Sequence, residues 1–111
     1  MTDKAKKYLS DIQRAINLIE EFLVDIKSFS DYQADLKTKS AVERQLGIIG
    51  EAVSKSQKDN ADFELTHTQQ IVNFRNRIIH AYDSVDDTIV WAILKNHLPI
   101  VKAEIEKGLK E

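Results

Sequence analysis

Four side chains able to do chemistry lie close together in the sequence: Arg75, Asn76, His80 and Tyr82. An arginine among apolar residues needs a carboxylate partner or a bound anion, because a desolvated cation is costly. Each residue also has a structural interpretation when taken alone. Arg75 could form an ion pair with Glu51 or Glu43, the histidine could sit near a helix end, and the tyrosine could pack in the core or at its rim.

The residues around Arg75 have the spacing of a helix, and Arg75 lies near the centre of its apolar sector. That sector contains Ile71, Val72, Phe74, Ile78 and Ile79. Asn73, Asn76 and His80 form a separate polar stripe, which Arg77 flanks. Arg75 and His80 point about 140° apart on a regular helix. They can act on one phosphate only if the helix ends or distorts near His80, or if two copies of the chain interleave.

The composition limits the classes of function. The 111 residues predict one domain, and the net charge of −2 gives no global attraction to nucleic acid. The absence of cysteine excludes disulfides and thiolate metal sites. His67 and His97 have no ligand neighbours at metal-binding spacing, so no metal site is predicted. No uninterrupted apolar run indicates a signal peptide or a membrane span, and we expect a cytoplasmic protein.

The apolar pattern predicts an all-α fold, a bundle of four or five helices. Three glycines and one proline interrupt the chain. The predicted helices cover residues 4–28 and 38–56, then begin again near Thr66 or Thr68 and near Asp86 or Asp87. A polar connection with a helical turn joins the first two, and Pro99 kinks or restarts the last helix.

Two faces of the second predicted helix differ. One is a core stripe of Val42, Leu46, Ile49 and Val53. The other carries Glu43, Gly47, Gly50 and Ser54 at steps of four, three and four. A glycine inside a helix costs roughly 1 kcal/mol relative to alanine. Gly47 and Gly50 therefore have two explanations. They are either neutral substitutions on an exposed face, or they allow another backbone to approach closely, within the bundle or across a dimer.

The combined pattern resembles a known family. Arg75-Asn76, three residues, then His80-Ala81-Tyr82 is similar to the R-N-x-x-x-H-x-Y signature of HEPN-domain proteins of the HepT type. SAVERQLGIIGEAVSK, residues 40–55, resembles the second-helix block of that family. DDTIVWAILKNHLPIVKAEIE, residues 86–106, resembles its fourth helix and terminal extension.

The resemblance implies a HEPN-type up-and-down bundle and a metal-independent endoribonuclease with no cofactor. RNA carries its own nucleophile, the 2′-OH. His80 would serve as general base or acid, and Arg75 would hold the scissile phosphate. Asn76 would orient the phosphate or the imidazole, and Glu51 and Arg77 are candidate supporting residues. A homodimer would bring two copies of the motif into one cleft.

The resemblance also implies a partner. HepT-type proteins are toxins paired with a minimal nucleotidyltransferase antitoxin, MntA, which transfers AMP onto the tyrosine of the motif. Here that residue is Tyr82, and an adenylate beside Arg75 would offset the charge of the phosphate site. The RNA substrate, tRNA or mRNA, is left open. Two other functions are also possible: a non-catalytic HEPN subunit that positions substrate for a nucleotidyltransferase, and a structural dimerisation module.

Overall fold

The computed structural model describes residues 1–80 and 85–110, except for the side chain of His80. Every regular element in these two ranges is helical, which confirms the predicted all-α bundle. The helices are α1 Asp3–Phe22, α2 Phe29–Ala34, α3 Leu36–Lys58, α4 Gln69–His80, α5 Asp87–Ala92 and α6 Leu98–Lys110, with a π-helical turn Ile93–His97 joining the last two. None of the helices in the described ranges is long and apolar enough to cross a bilayer.

Side-chain caps fix where the helices start. The Thr2 hydroxyl accepts a hydrogen bond from the Ala5 amide at the start of α1, and the Asp35 carboxylate accepts one from Thr38 at the start of α3, both at 3.0 Å. Asp86 does the same for α5, accepting from the Thr88 amide at 2.8 Å. Such caps satisfy amides that have no partner inside the helix. The predicted starts near residue 38, near Thr66 or Thr68 and near Asp86 or Asp87 lie within three residues of the observed starts at Leu36, Gln69 and Asp87.

The prediction that the first helix reaches residue 28 was wrong, because α1 ends at Phe22. The chain turns there, and the Ser28 hydroxyl accepts from the Asp31 amide to start the short helix α2. Ile26 still packs against the core from outside any helix. The apolar spacing thus continues past the end of α1, since packing rather than helicity places Ile26.

The core lies among α1, α3, α4 and α6, and α3 packs along both α1 and α4. The predicted stripe of α3 is confirmed, since Val42, Leu46, Ile49 and Val53 are all buried. Its partners include Leu9, Ile12, Ile16 and Ile19 of α1 and Val101 and Ile105 of α6. This side of α3 therefore supplies the hydrophobic stability of the bundle.

The last helical stretch passes through Pro99 without a break in the run of helical residues. A proline has no amide hydrogen, and its ring collides with the carbonyl four residues earlier. A wider π-helical turn before the proline relieves this conflict. Trp91 packs its ring against Phe29 and Tyr32, at centroid distances of 6.1 and 5.6 Å, and so ties α2 to α5.

Candidate active site

The two glycines of α3 set the position of α4. A Cβ added at Gly50 would lie 2.6 Å from the Cβ of Arg75 and 3.0 Å from the carbonyl oxygen of Ile71. A Cβ added at Gly47 would lie 3.2 Å from the terminal methyl of Ile78. Gly50 is buried, so the glycine at this position cannot be explained as a neutral substitution on an exposed face of the helix. Of the two explanations offered by the sequence, close approach of another backbone within the bundle is the one observed.

This close approach leaves the stem of Arg75 against α3 and its guanidinium near the surface. The side chain is 27% exposed, and its Nη2 is 4.0 Å from the Glu51 carboxylate. Glu51 lies closer to Lys55, at 3.3 Å, and is itself half-exposed. A contact at that distance between exposed groups contributes little. The tight structural ion pair considered from the sequence is therefore not formed.

Asn76 contacts the same guanidinium. Arg75 Nη1 donates to the Asn76 side-chain oxygen at 3.2 Å, and Asn76 is exposed. Three of the residues selected from the sequence, Arg75, Asn76 and Glu51, thus lie together. Because the guanidinium has five N–H donors, most of them are left for an anion.

Arg75 opens onto a groove of about 460 Å³ between α3 and α4. The groove is lined by Ser40, Glu43, Arg44, Gly47, Ile48, Glu51, Arg75, Ile78 and Ile79. Two of these apolar residues are unusually accessible for their type, Ile79 at 56% and Ile48 at 36%. The groove therefore combines two cations, two carboxylates and exposed apolar surface.

The contacts of the glycines give the register of the two helices. Gly50 faces Arg75 and Gly47 faces Ile78, so α3 and α4 are antiparallel. Continued at the same pitch, this register brings the end of α4 at His80 level with residue 45 of α3. The side chain of His80 and all of Tyr82 lie outside the described residues.

Glu43 lies at the Ser40 end of the groove with a charged cluster behind it. Burial raises the pKa of the Glu43 carboxyl, and the negative charge of Asp87 raises it further, whereas Lys39 lowers it. Lys39 and Asp87 form a largely buried ion pair of 2.7 Å between the starts of α3 and α5. The Tyr32 hydroxyl is buried beside this cluster and has no hydrogen-bond partner among the described residues.

Burial raises the pKa of Tyr32 too, and the charges of Glu43 and Asp87 add to that effect. The phenol therefore stays neutral. The cluster contains two carboxyl groups, Glu43 and Asp87, and one ammonium group, Lys39. The acidic groups therefore outnumber the basic one in the buried region behind this end of the groove.

Arg77 is not part of the groove. It lines a separate cavity of about 170 Å³ with Asn73, Phe74 and Asp86, among others. The structure thus separates it from Arg75, although the two are only two residues apart.

Two features of the structure were missed from the sequence. Arg44 lines the groove, and its only sequence signal is that it precedes Glu51 by seven residues and so lies on the same face of α3. His67 and His97 meet through their Nδ1 atoms at 3.0 Å, although thirty residues separate them. Among residues 1–80 and 85–110 no three potential metal ligands come together.

Comparisons with known proteins point to one family. A family model described as "Ribonuclease HepT-like" matches residues 12–108. A Thermococcus cleftensis protein named "Probable ribonuclease HepT" is 42% identical over 106 residues, which cover 92% of this chain and 93% of that protein. "Putative RNase MJ1380" of Methanocaldococcus jannaschii is 33% identical over 102 residues, which cover 91% and 93%. No solved structure matches the chain significantly.

Proposed function

Because the chain belongs to the HepT-like ribonuclease family, we propose that it is an endoribonuclease that cleaves RNA without a metal ion. The observation that carries the proposal is the guanidinium of Arg75. It is held against α3 at Gly50, it opens onto a groove, and the nearest carboxylate of the described residues is 4.0 Å away. A cation placed in this way suits a phosphate, which a guanidinium binds through two parallel hydrogen bonds.

The reaction needs only groups that the chain and its substrate provide. The 2′-oxygen of the RNA attacks the adjacent phosphorus, the bond to the 5′-oxygen breaks, and a 2′,3′-cyclic phosphate forms. His80 takes the proton of the 2′-OH, and a second imidazole gives a proton to the departing 5′-oxygen. Arg75 stabilises the negative charge that develops on the phosphate. Asn76 orients the guanidinium through the hydrogen bond described above.

The proposed enzyme is a homodimer with a composite site. The second imidazole would come from His80 of the partner subunit, which removes the angular problem of a single helix. The exposed side chains of Ile48 and Ile79 beside the groove support a protein interface there, because large apolar side chains are seldom left in water at a functional cleft without a partner.

The proposed regulation is covalent. A minimal nucleotidyltransferase antitoxin of the MntA type would transfer AMP from ATP onto the Tyr82 hydroxyl and release pyrophosphate. The adenylate phosphate would then occupy the anion position of Arg75 and block RNA. In this scheme the protein is the toxin of a toxin–antitoxin pair, and its substrate is tRNA or mRNA.

The deciding experiment is RNA cleavage in EDTA by purified, unmodified protein. We expect cleavage with 2′,3′-cyclic phosphate ends, and no cleavage by His80→Ala of equal helicity. Equal cleavage by both proteins would exclude His80 from the reaction. If the unmodified protein cleaves no RNA, a non-catalytic subunit that positions substrate for a nucleotidyltransferase becomes the better description.

The regulatory step has a separate test. The protein is incubated with the antitoxin and ATP, and its mass is measured beside that of Tyr82→Phe. We expect one added AMP and loss of cleavage in the parent, and neither change in the variant. Full covalent neutralisation of Tyr82→Phe would refute the assignment of the modified residue.

A further inference from the structure

We propose that Arg44 binds a phosphate next to the scissile one and so positions the RNA strand along the groove between α3 and α4. The inference deepens the proposed ribonuclease function and rests on it. It concerns a second anion position, at the end of the groove opposite Glu51.

The register of the helices places Arg44 at a useful distance from Arg75. The Cβ of Arg75 lies opposite Gly50, and Arg44 precedes Gly50 by six residues on α3. Six residues of helix correspond to about 9 Å along the axis. Both arginines line the same groove and have long side chains, so they can reach two phosphates of one strand. By the same register, Arg44 is level with the end of the described part of α4.

Arg44 differs from the other cations near the groove in its lack of a partner. Lys39 is paired with Asp87 at 2.7 Å and Lys55 with Glu51 at 3.3 Å. The described part of the chain gives Arg44 neither an ion pair nor a side-chain hydrogen bond, and its side chain is exposed. Within the described residues, the charge of Arg44 is therefore free for a ligand.

The neighbouring carboxylates do not neutralise Arg44. Glu43 is adjacent in sequence, yet the charged groups that act on its carboxyl are Asp87 and Lys39. Its carboxyl is partly buried toward the Lys39–Asp87 pair instead. Glu51 lies two turns away and contacts Lys55. An exposed, unpaired guanidinium beside a second one favours a ligand with repeated negative charges, and a nucleic-acid strand has this property.

The apolar part of the groove agrees with a strand as the ligand. Ile78 lines the groove opposite Gly47, between the levels of the two arginines, where the sugar and base of one nucleotide would pass. Phosphate contacts fix the register of a strand without reading its sequence. Arg44 is therefore a positioning contact, and we expect it to act on binding and not on the chemical step.

The test is binding of a fluorescent single-stranded DNA oligonucleotide, which lacks the 2′-OH and cannot be cleaved by the proposed reaction. Anisotropy is measured over a series of salt concentrations for the parent, Arg44→Gln, and the control Arg14→Gln. Arg14 is an exposed arginine of α1, away from the groove. We expect Arg44→Gln to weaken binding about tenfold. The slope of log K against log salt should fall by about 0.7, the value for one phosphate contact on a single strand. Arg14→Gln should change neither quantity.

RNA cleavage by the same proteins provides the second measurement. We expect Arg44→Gln to raise KM with kcat nearly unchanged, and Arg44→Lys to recover the salt slope but only part of the affinity. An unchanged salt slope in Arg44→Gln, or a change of its oligomeric mass in sedimentation, would overturn the inference and assign Arg44 a structural role. If the parent cleaves no RNA but Arg44→Gln still loses the salt slope, the phosphate contact stands and the proposed enzymatic function fails.

Discussion

The two sides of α3 pack against their neighbours in opposite ways. Toward the core that it shares with α1, the helix presents Leu46 and Ile49, which are completely buried. Toward α4 it presents Gly47 and Gly50, and a Cβ at the second of these would collide with α4. The first side gains stability from buried apolar area. The second side has glycines, which carry no side chain, so that the backbones of α3 and α4 can approach each other closely. The comparison shows where the bundle is stabilised and where Arg75 is positioned.

The largest expected effect is on the α1 side. Leu46→Ala removes a fully buried side chain and should lower the free energy of unfolding by about 3 kcal/mol, from lost burial and the cavity left behind. Leu36→Ala is the matched control, because Leu36 is on the same helix and 73% exposed. Urea denaturation measures both. A similar loss for the two variants would contradict the assignment of the α1 side as the stabilising one.

On the α4 side, we expect a substitution to reduce catalytic activity more than it reduces stability. Arg75→Ala is expected to reduce kcat for RNA cleavage at least about 100-fold, comparable to the loss of one preorganised charge-stabilising donor. Its free energy of unfolding should change by less than about 1 kcal/mol, since the contact with Glu51 is long and exposed. Cleavage assays and urea denaturation separate the two effects. A stability loss as large as that of Leu46→Ala would make Arg75 a structural residue.

The third prediction compares the two glycines with each other. Gly50→Ala should destabilise the fold by about 1–3 kcal/mol, because its Cβ meets the Cβ of Arg75 and a backbone oxygen. Gly47→Ala should be nearly neutral. Its Cβ meets only the flexible end of Ile78, and alanine gains about 1 kcal/mol in helix propensity. Thermal and urea unfolding of the pair measure this, and equal effects would mean that α4 lies farther from α3 than described.

The smallest expected effect concerns Glu43. Its pKa is raised in the folded chain above the ordinary value of 4.5, so the folded state binds the proton more tightly than the unfolded state. The stability gained from this proton is present below that value and is lost as the pH rises through the folded pKa. Glu43→Gln should therefore be more stable than the parent near pH 7, by less than about 1 kcal/mol for so accessible a group. Urea midpoints near pH 4 and pH 7 test this; an advantage that grows toward low pH would contradict it.

The sequence predicted what a single helix determines. The buried stripe of α3 and the capped start of α5 at Asp86 both follow from spacing and residue type along one element. The end of α1 could not be predicted, because Ile26 keeps the apolar spacing while lying outside the helix.

The sequence did not predict how the helices lie relative to each other. The contact of Gly50 with Arg75 depends on the register of α3 and α4, and neither helix encodes that register alone. The same register brings Arg44 into the groove. By contrast, the separation of Arg77 from Arg75 follows from α4 alone, because residues two apart on a helix point about 160° away from each other.

The contact at Gly50 has a genetic consequence. Every other amino acid carries a Cβ, so the steric conflict begins with the smallest possible substitution at position 50. The opposing atom is the Cβ of Arg75, which a change of Arg75 to any residue except glycine would keep. A second-site suppressor at position 75 must therefore delete the guanidinium itself. In a selection for active revertants, we expect defects at position 50 to be repaired only by true reversion or by distant changes that move α4 as a unit.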